Sequence, residues 1–143
     1  MADKVKSPFG KLMAAACVNA LLAFVFGLCL GRVLIQRLTG SYVGLALSGA
    51  SLILAFLWTS RAVRRIGGAP YPSGDAVRKN RVQFLWSCTF FAMISFALGI
   101  AVSSFFWYGP DFIQIFGLVF WCLITCVAIY PVRRDAKRFA GTT

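Results

Sequence analysis

The sequence predicts an all-α integral membrane protein with four transmembrane helices. Of its 143 residues, 59% are hydrophobic and 13% are charged, whereas an ordinary soluble domain is about 25% charged. A hydrocarbon core about 30 Å thick is crossed by roughly 20 helical residues, and β-barrel strands would be shorter and alternating. Four uncharged runs are long enough to cross once each, namely Leu12–Gly31, Leu38–Ser60, Val82–Pro110 and Phe112–Val132.

We expect a single membrane domain over residues 1–143, with helices at about 12–31, 41–60, 82–107 and 111–131 and a basic loop at 61–81. The first run is longer than the apolar region of a secretory signal, so we expect it to be a membrane helix of the mature protein. Gly, Pro and Asp in the short turn after Trp107 predict a tight antiparallel hairpin from helices three and four. Glycines and prolines make the middle loop the boundary between two such hairpins.

The basic residues are distributed unequally between the two faces of the membrane. Thirteen of the fifteen lie in the N-terminal tail, the middle loop and the C-terminal tail, and only Arg32 and Arg37 lie on the other face. The positive-inside rule therefore places both termini and the middle loop in the cytoplasm, or in the matrix or stroma of an organelle. A bacterial inner membrane and an organelle inner membrane both fit. The same asymmetry accounts for the net charge of +11 without a nucleic acid partner.

Small residues recur every three or four positions along the first three predicted helices. In lipid, close backbone approach along such faces is a main source of packing energy, so we expect these helices to pack closely there. The fourth helix has no such face, and we expect its Ala128 to contact lipid. The positions are Ala16, Ala20, Ala23, Gly27 and Gly31 in helix one, Gly44, Ser48, Ser51 and Ala55 in helix two, and Cys88, Ala92, Ser95, Gly99 and Ser103 in helix three.

The small-residue faces of helices one and three superimpose with a constant offset of 72 residues. The pair Arg64 and Arg65 matches Arg133 and Arg134 at an offset of 69. Two hairpins related by an axis along the membrane normal would give this pattern. Hydropathy alone also creates such similarity, so a weak tandem repeat and a chance resemblance both remain open.

The polar inventory of the predicted spans indicates no enzyme active site, metal site or cofactor. The chain has no His and no Glu, and we expect its four Asp residues to lie outside the spans or at their ends. Cation-coupled carriers usually hold an ionisable residue within the membrane, so that class is disfavoured. We expect Asn19 to form a hydrogen bond between helices. The five cysteines contain no Cys-x-x-Cys pair and are expected to be small apolar filler.

These observations favour a non-enzymatic accessory, assembly or structural subunit of a larger membrane complex, with other membrane subunits as its partners. Large rigid aromatic side chains commonly anchor interfaces, which makes Phe116, Phe120 and Trp121 of helix four candidates for contact with a partner. Anionic lipids are possible additional partners, because each Lys or Arg near an anionic surface contributes about 1 kcal/mol. The candidate headgroup ligands are Arg61, Arg64, Arg65, Arg133 and Arg134.

The alternative is a small transporter or channel that works as an oligomer. Its path would be lined by the polar residues within the spans. These residues are Asn19, Ser48, Ser51, Ser95 and Gln114.

Overall fold

The computed structural model describes residues 8–36, 41–66 and 74–142, and these residues form four α-helices. The helices are α1 (Pro8–Gln36), α2 (Ser41–Ile66), α3 (Asp75–Tyr108) and α4 (Phe112–Thr142). Each of the four is long and apolar enough to cross a membrane. The prediction of an all-helical chain with four such helices, as in a multi-pass membrane protein, is therefore confirmed.

Three of the helices extend well past the predicted spans at their charged ends. The segments 61–66 and 75–81 of the predicted loop are helical, whereas 67–73 lies outside the described residues. A helix satisfies its own backbone hydrogen bonds, so it can leave the hydrocarbon core without a change of structure. Arg64 and Arg65 in the last turn of α2 and Asp75 in the first turn of α3 also complement the helix dipoles.

The turn between α3 and α4 requires a glycine. Gly109 has a φ of 84°, which lies in the left-handed region that side chains with a Cβ rarely adopt. Its N–H donates to the carbonyl oxygen of Phe105 at 3.1 Å and thereby closes the last turn of α3. The chain reverses within three residues, so α4 returns directly along α3.

Contacts between side chains give the relative directions of the helices. Asn19 of α1 contacts Thr59 near the end of α2, and Cys29 near the end of α1 lies against Gly44 near the start of α2. These two contacts show that α1 and α2 run in opposite directions. Along α3 and α4, Ser87 pairs with Asp135 and Ser104 pairs with Gln114, which is again an antiparallel order. The helices in contact are α2 with α1, α1 with α3, and α3 with α4, and α4 also contacts α1.

The central pair, α1 and α3, runs in the same direction and is in backbone contact. A methyl group added to Gly27 would overlap the carbonyl oxygen of Phe96, and one added to Gly99 would overlap the carbonyl oxygen of Phe24. One turn further on, a methyl on Gly31 would lie 2.6 Å from the Cβ of Ser103. The pairs Gly27–Gly99 and Gly31–Ser103 are each 72 residues apart, which is the offset that relates the two small-residue faces.

Most of the core lies at one end of the bundle, which we call the basic end. It is formed by the starts of α1 and α3 and the ends of α2 and α4, and it includes exposed arginines such as Arg64 and Arg133. The rings of Phe84 and Phe139 stack there with centroids 6.3 Å apart. Both rings are fully buried, together with Leu12, Val63, Val132 and Ala136.

The expectation that Ala128 contacts lipid is wrong. Ala128 is 4% exposed and belongs to the buried core cluster. Its small side chain faces inward because α4 contacts both α3 and α1. Gly117 is an open position of α4 instead, since a methyl group there would meet no atom within 4 Å.

Replacing either central glycine by alanine should destabilise the bundle far more than the same change at an open position. We expect Gly27→Ala and Gly99→Ala to lower the free energy of unfolding by about 1–3 kcal/mol each, because the added methyl overlaps backbone that is already packed. Gly117→Ala is the matched control and should have no such cost. Unfolding by sodium dodecyl sulfate in mixed micelles measures the difference, and equal stability of all three variants would contradict the close contact.

Candidate functional site

A groove between α2 and α3 is the candidate site, and α1 forms its floor. Its volume is about 430 Å³. It exists because α2 packs against α1 and leaves the facing side of α3 uncovered along the middle of the bundle. The residues that line it are almost all apolar and include Phe26, Leu52, Ile53, Phe56, Met93 and Phe96.

The groove opens sideways, toward the region that lipid would occupy. Ile53 and Phe56 on the α2 wall are 63% and 45% exposed, and Met93 on the α3 wall is 64% exposed. The stacked rings of Phe26 and Phe96, with centroids 5.7 Å apart, bound the groove at the end away from the basic end. A molecule dissolved in the bilayer could therefore reach the groove without passing through water.

The floor of the groove carries a buried amide, that of Asn19, which is 2% exposed. Its Nδ2 donates to Thr59 Oγ1 at 2.7 Å, so Asn19 joins α1 to α2 as expected. The Thr59 hydroxyl in turn donates to the carbonyl oxygen of Ala55 at 2.8 Å. Asn19 Oδ1 is buried and has no hydrogen-bond partner. Leaving such an atom unpaired costs about 1–3 kcal/mol.

The amide orientation is the one that its hydrogen bonds assign, since Nδ2 has an acceptor in Thr59, whose own hydrogen is donated to Ala55. Oδ1 is therefore an unsatisfied acceptor of a residue that lines the groove.

The predicted small-residue positions are buried to different degrees in the three helices. All five in α1 are buried, and in α3 all are buried except Ala92, which is half-buried and lines the groove. In α2, Ser48 is buried, Gly44 and Ala55 are half-buried, and Ser51 is exposed. The close contact therefore involves α1 and α3, while α2 is held more loosely.

Among the candidate partner contacts, Phe116 and Phe120 point outward and are 64% and 48% exposed. Trp121 is only half-buried and packs against the core cluster. The five candidate headgroup ligands are all exposed at the basic end, and Arg134 additionally donates from Nε to Asp135 Oδ1 at 3.2 Å.

The residues of the alternative transport path do not share one cavity. Of the five, Asn19 is the residue that lines the groove. The hydroxyls of Ser48 and Ser95 donate to carbonyl oxygens of their own helices, those of Gly44 and Phe91. The remaining two residues are placed apart from the groove, since Ser51 is exposed on α2 and Gln114 accepts a hydrogen bond from Ser104 near the α3–α4 turn.

Sequence reasoning missed the burial of Asp135, which we expected outside the predicted spans or at their ends. It lies within α4, is 2% exposed, and its carboxylate accepts hydrogen bonds from the hydroxyl of Ser87 and from Arg134. The signal was present in the sequence. Val132, Ala136 and Phe139 repeat at helical spacing on both sides of Arg133 and Arg134, and all three are buried. This spacing shows that α4 continues past the predicted span and places Asp135 on its inner side.

Removing the Asp135 carboxylate should destabilise the contact between α3 and α4. We expect Asp135→Ala to lower the free energy of unfolding by about 1.5–3 kcal/mol, because a buried hydrogen bond to a charged group is lost. Lys137→Ala, at an exposed side chain of the same helix, is the control and should change it little. If both variants unfold at the same denaturant concentration, Asp135 does not hold the two helices together.

Within residues 8–36, 41–66 and 74–142, no group of three or more His, Cys, Asp or Glu side chains could hold a metal ion. No protein-family model, curated protein or solved structure matches the chain significantly. The described residues define a class of structure: four apolar helices, each long enough to cross a membrane, with a lateral apolar groove.

Proposed function

We propose that the chain is a non-enzymatic accessory, assembly or structural subunit of a larger membrane complex, and that it binds its partner through α4. The observation that carries this proposal is a ridge of aromatic rings along α4, formed by Phe112, Phe116 and Phe120 at intervals of four residues. These side chains are 82%, 64% and 48% exposed. The rings of Phe112 and Phe116 stack with centroids 6.5 Å apart.

The rigidity of the ridge is better evidence for partner binding than its exposure, because lipid covers any apolar surface in a membrane. Rings that already contact each other lose little side-chain freedom when a partner binds, and such aromatic residues commonly anchor interfaces. Trp121 supports the ridge from behind, since it packs against the core and makes an edge-to-face contact with Phe120 at 5.9 Å. The position of α4 also supports this role. Only 6% of its most apolar 18-residue stretch is buried, compared with 39% of the corresponding stretch of α1.

We also propose that α1–α2 and α3–α4 are two antiparallel hairpins with the basic end in the cytoplasm, matrix or stroma. The parallel course of α1 and α3 supports a relation between the hairpins by an axis along the membrane normal, which a weak tandem repeat would produce. The exposed Arg61, Arg64 and Arg65 on α2 and Arg133 and Arg134 on α4 then meet the anionic headgroups of that leaflet.

Replacing the ridge should weaken association with a partner without unfolding the protein. We expect the double variant Phe116→Leu and Phe120→Leu to lose a stoichiometric partner during purification in mild detergent, while the helix content is unchanged. The control is Phe90→Leu with Phe106→Leu on α3, where the side chains are 57% and 78% exposed. A partner retained equally by both double variants would contradict binding through the ridge.

A small oligomeric transporter or channel is the second candidate, and one observation favours it: the amide of Asn19 lies on the floor of an open groove. In that case Asn19→Ala should change a measured solute flux in vesicles, and Ser51→Ala, at an exposed position away from the groove, should not. Partner association would then be irrelevant to activity.

A further inference from the structure

We propose that the groove between α2 and α3 binds a neutral, bilayer-soluble molecule that has an apolar chain and a single hydroxyl group. The Asn19 amide hydrogen-bonds the hydroxyl, and the apolar walls hold the chain. This site is separate from the aromatic ridge on α4, so the failure of either proposal leaves the other standing.

The unpaired atom of Asn19 sets the polar group of the ligand. Oδ1 is buried and has no hydrogen-bond donor. A hydroxyl group of the ligand supplies one. The hydrogens of the other two hydroxyls that line the groove are already donated, by Thr59 to the carbonyl oxygen of Ala55 and by Thr89 to that of Leu85 at 3.0 Å.

The lining sets the charge of the ligand. None of the residues that line the groove carries a charge. Transfer of an ionised group into such surroundings without a counter-charge is very costly. The ligand is therefore neutral at the level of Asn19, which excludes a phosphate or a carboxylate at that position.

The dimensions set the shape of the ligand. On the α3 wall the groove extends from Leu85 to Phe96, which is about 16 Å at 1.5 Å per residue and close to the length of an extended dodecyl chain. Its volume of about 430 Å³ lies within the range of small-molecule sites. A partner helix would be 10–12 Å wide and would need a groove along the whole span, so an amphiphile fits this space better.

The polar groups lie toward one end of the groove, which orients the ligand. Asn19, Thr59 and Cys88 are nearer the basic end, and the stacked rings of Phe26 and Phe96 lie at the other end. The hydroxyl group therefore points toward the basic end and the chain toward the opposite leaflet. The ligand enters sideways between Ile53 and Met93, which are both exposed.

The test uses the whole protein in phosphatidylcholine vesicles with a photoreactive twelve-carbon alcohol whose diazirine lies near the middle of the chain. Unlabelled 1-dodecanol and dodecane compete for labelling. We expect the alcohol to compete at about a tenfold lower mole fraction than the hydrocarbon, which is the effect of one hydrogen bond of about 1.4 kcal/mol. Peptide mapping of the unaltered protein should place the label on the groove walls.

Two variants separate the polar contact from the groove itself. Asn19→Leu should bring the ratio between the two competitors to about one, and Ala92→Phe should abolish labelling because its ring fills the groove. Val127→Phe, on an α4 side chain that is 70% exposed, is the matched control and should label normally. Size-exclusion chromatography and circular dichroism establish that each variant is folded.

Several results would overturn the proposal. Equal competition by alcohol and hydrocarbon in the unaltered protein would exclude the hydrogen bond. Label spread evenly over the four helices would exclude the groove as the site, and this result needs no variant. Photocrosslinks between two copies of the chain through the groove residues would show that a second copy fills the groove instead.

Discussion

The backbone contact between Gly27 of α1 and Gly99 of α3 is the constraint on which the rest of the structure depends. A Cβ on either glycine would overlap a backbone carbonyl oxygen of the other helix. In lipid, such close approach replaces the hydrophobic effect as the source of packing energy. Because the two helices run in the same direction, α2 and α4 each run back against them, α2 packed on α1 and α4 packed mainly on α3.

This arrangement explains both the core and the groove. At the basic end α4 reaches α1 as well as α3, so Phe84, Phe139 and Asp135 are buried together in the extended helices. On the other side α2 packs against α1 alone for most of its length, and the facing surface of α3 stays open. Asn19 lies where these two features meet. It joins α1 to α2, and its Oδ1 is left without a hydrogen-bond partner beside the groove.

The four helices could be predicted because charged residues interrupt the apolar runs, and the length of a run decides whether it can cross a membrane. The small-residue face of α1 also marked Gly27, which is in backbone contact with α3. Length and hydropathy mark only the part of a helix that lies in hydrocarbon, so they ended the predicted span at 131, and the continuation of α4 is indicated only by the helical spacing of Val132, Ala136 and Phe139. Ala128 was misplaced because a side chain's direction depends on which neighbours the helix meets. The groove could not be predicted either. It arises because α2 lies away from α3, and the spacing of apolar residues along a sequence does not indicate gaps between helices.

The parallel course of α1 and α3 is tested most directly by distances between pairs of spin labels. In a background with the native cysteines replaced by alanine, labels would be attached through Leu34→Cys with Phe106→Cys, and through Lys11→Cys with Phe106→Cys, all at exposed positions. Leu34 and Phe106 are 72 residues apart, like the contacting glycines, whereas Lys11 lies about 35 Å further along α1 at 1.5 Å per residue. Double electron–electron resonance should therefore give a clearly shorter distance for the pair 34 and 106. A distance for that pair equal to or longer than the distance for 11 and 106 would contradict the account.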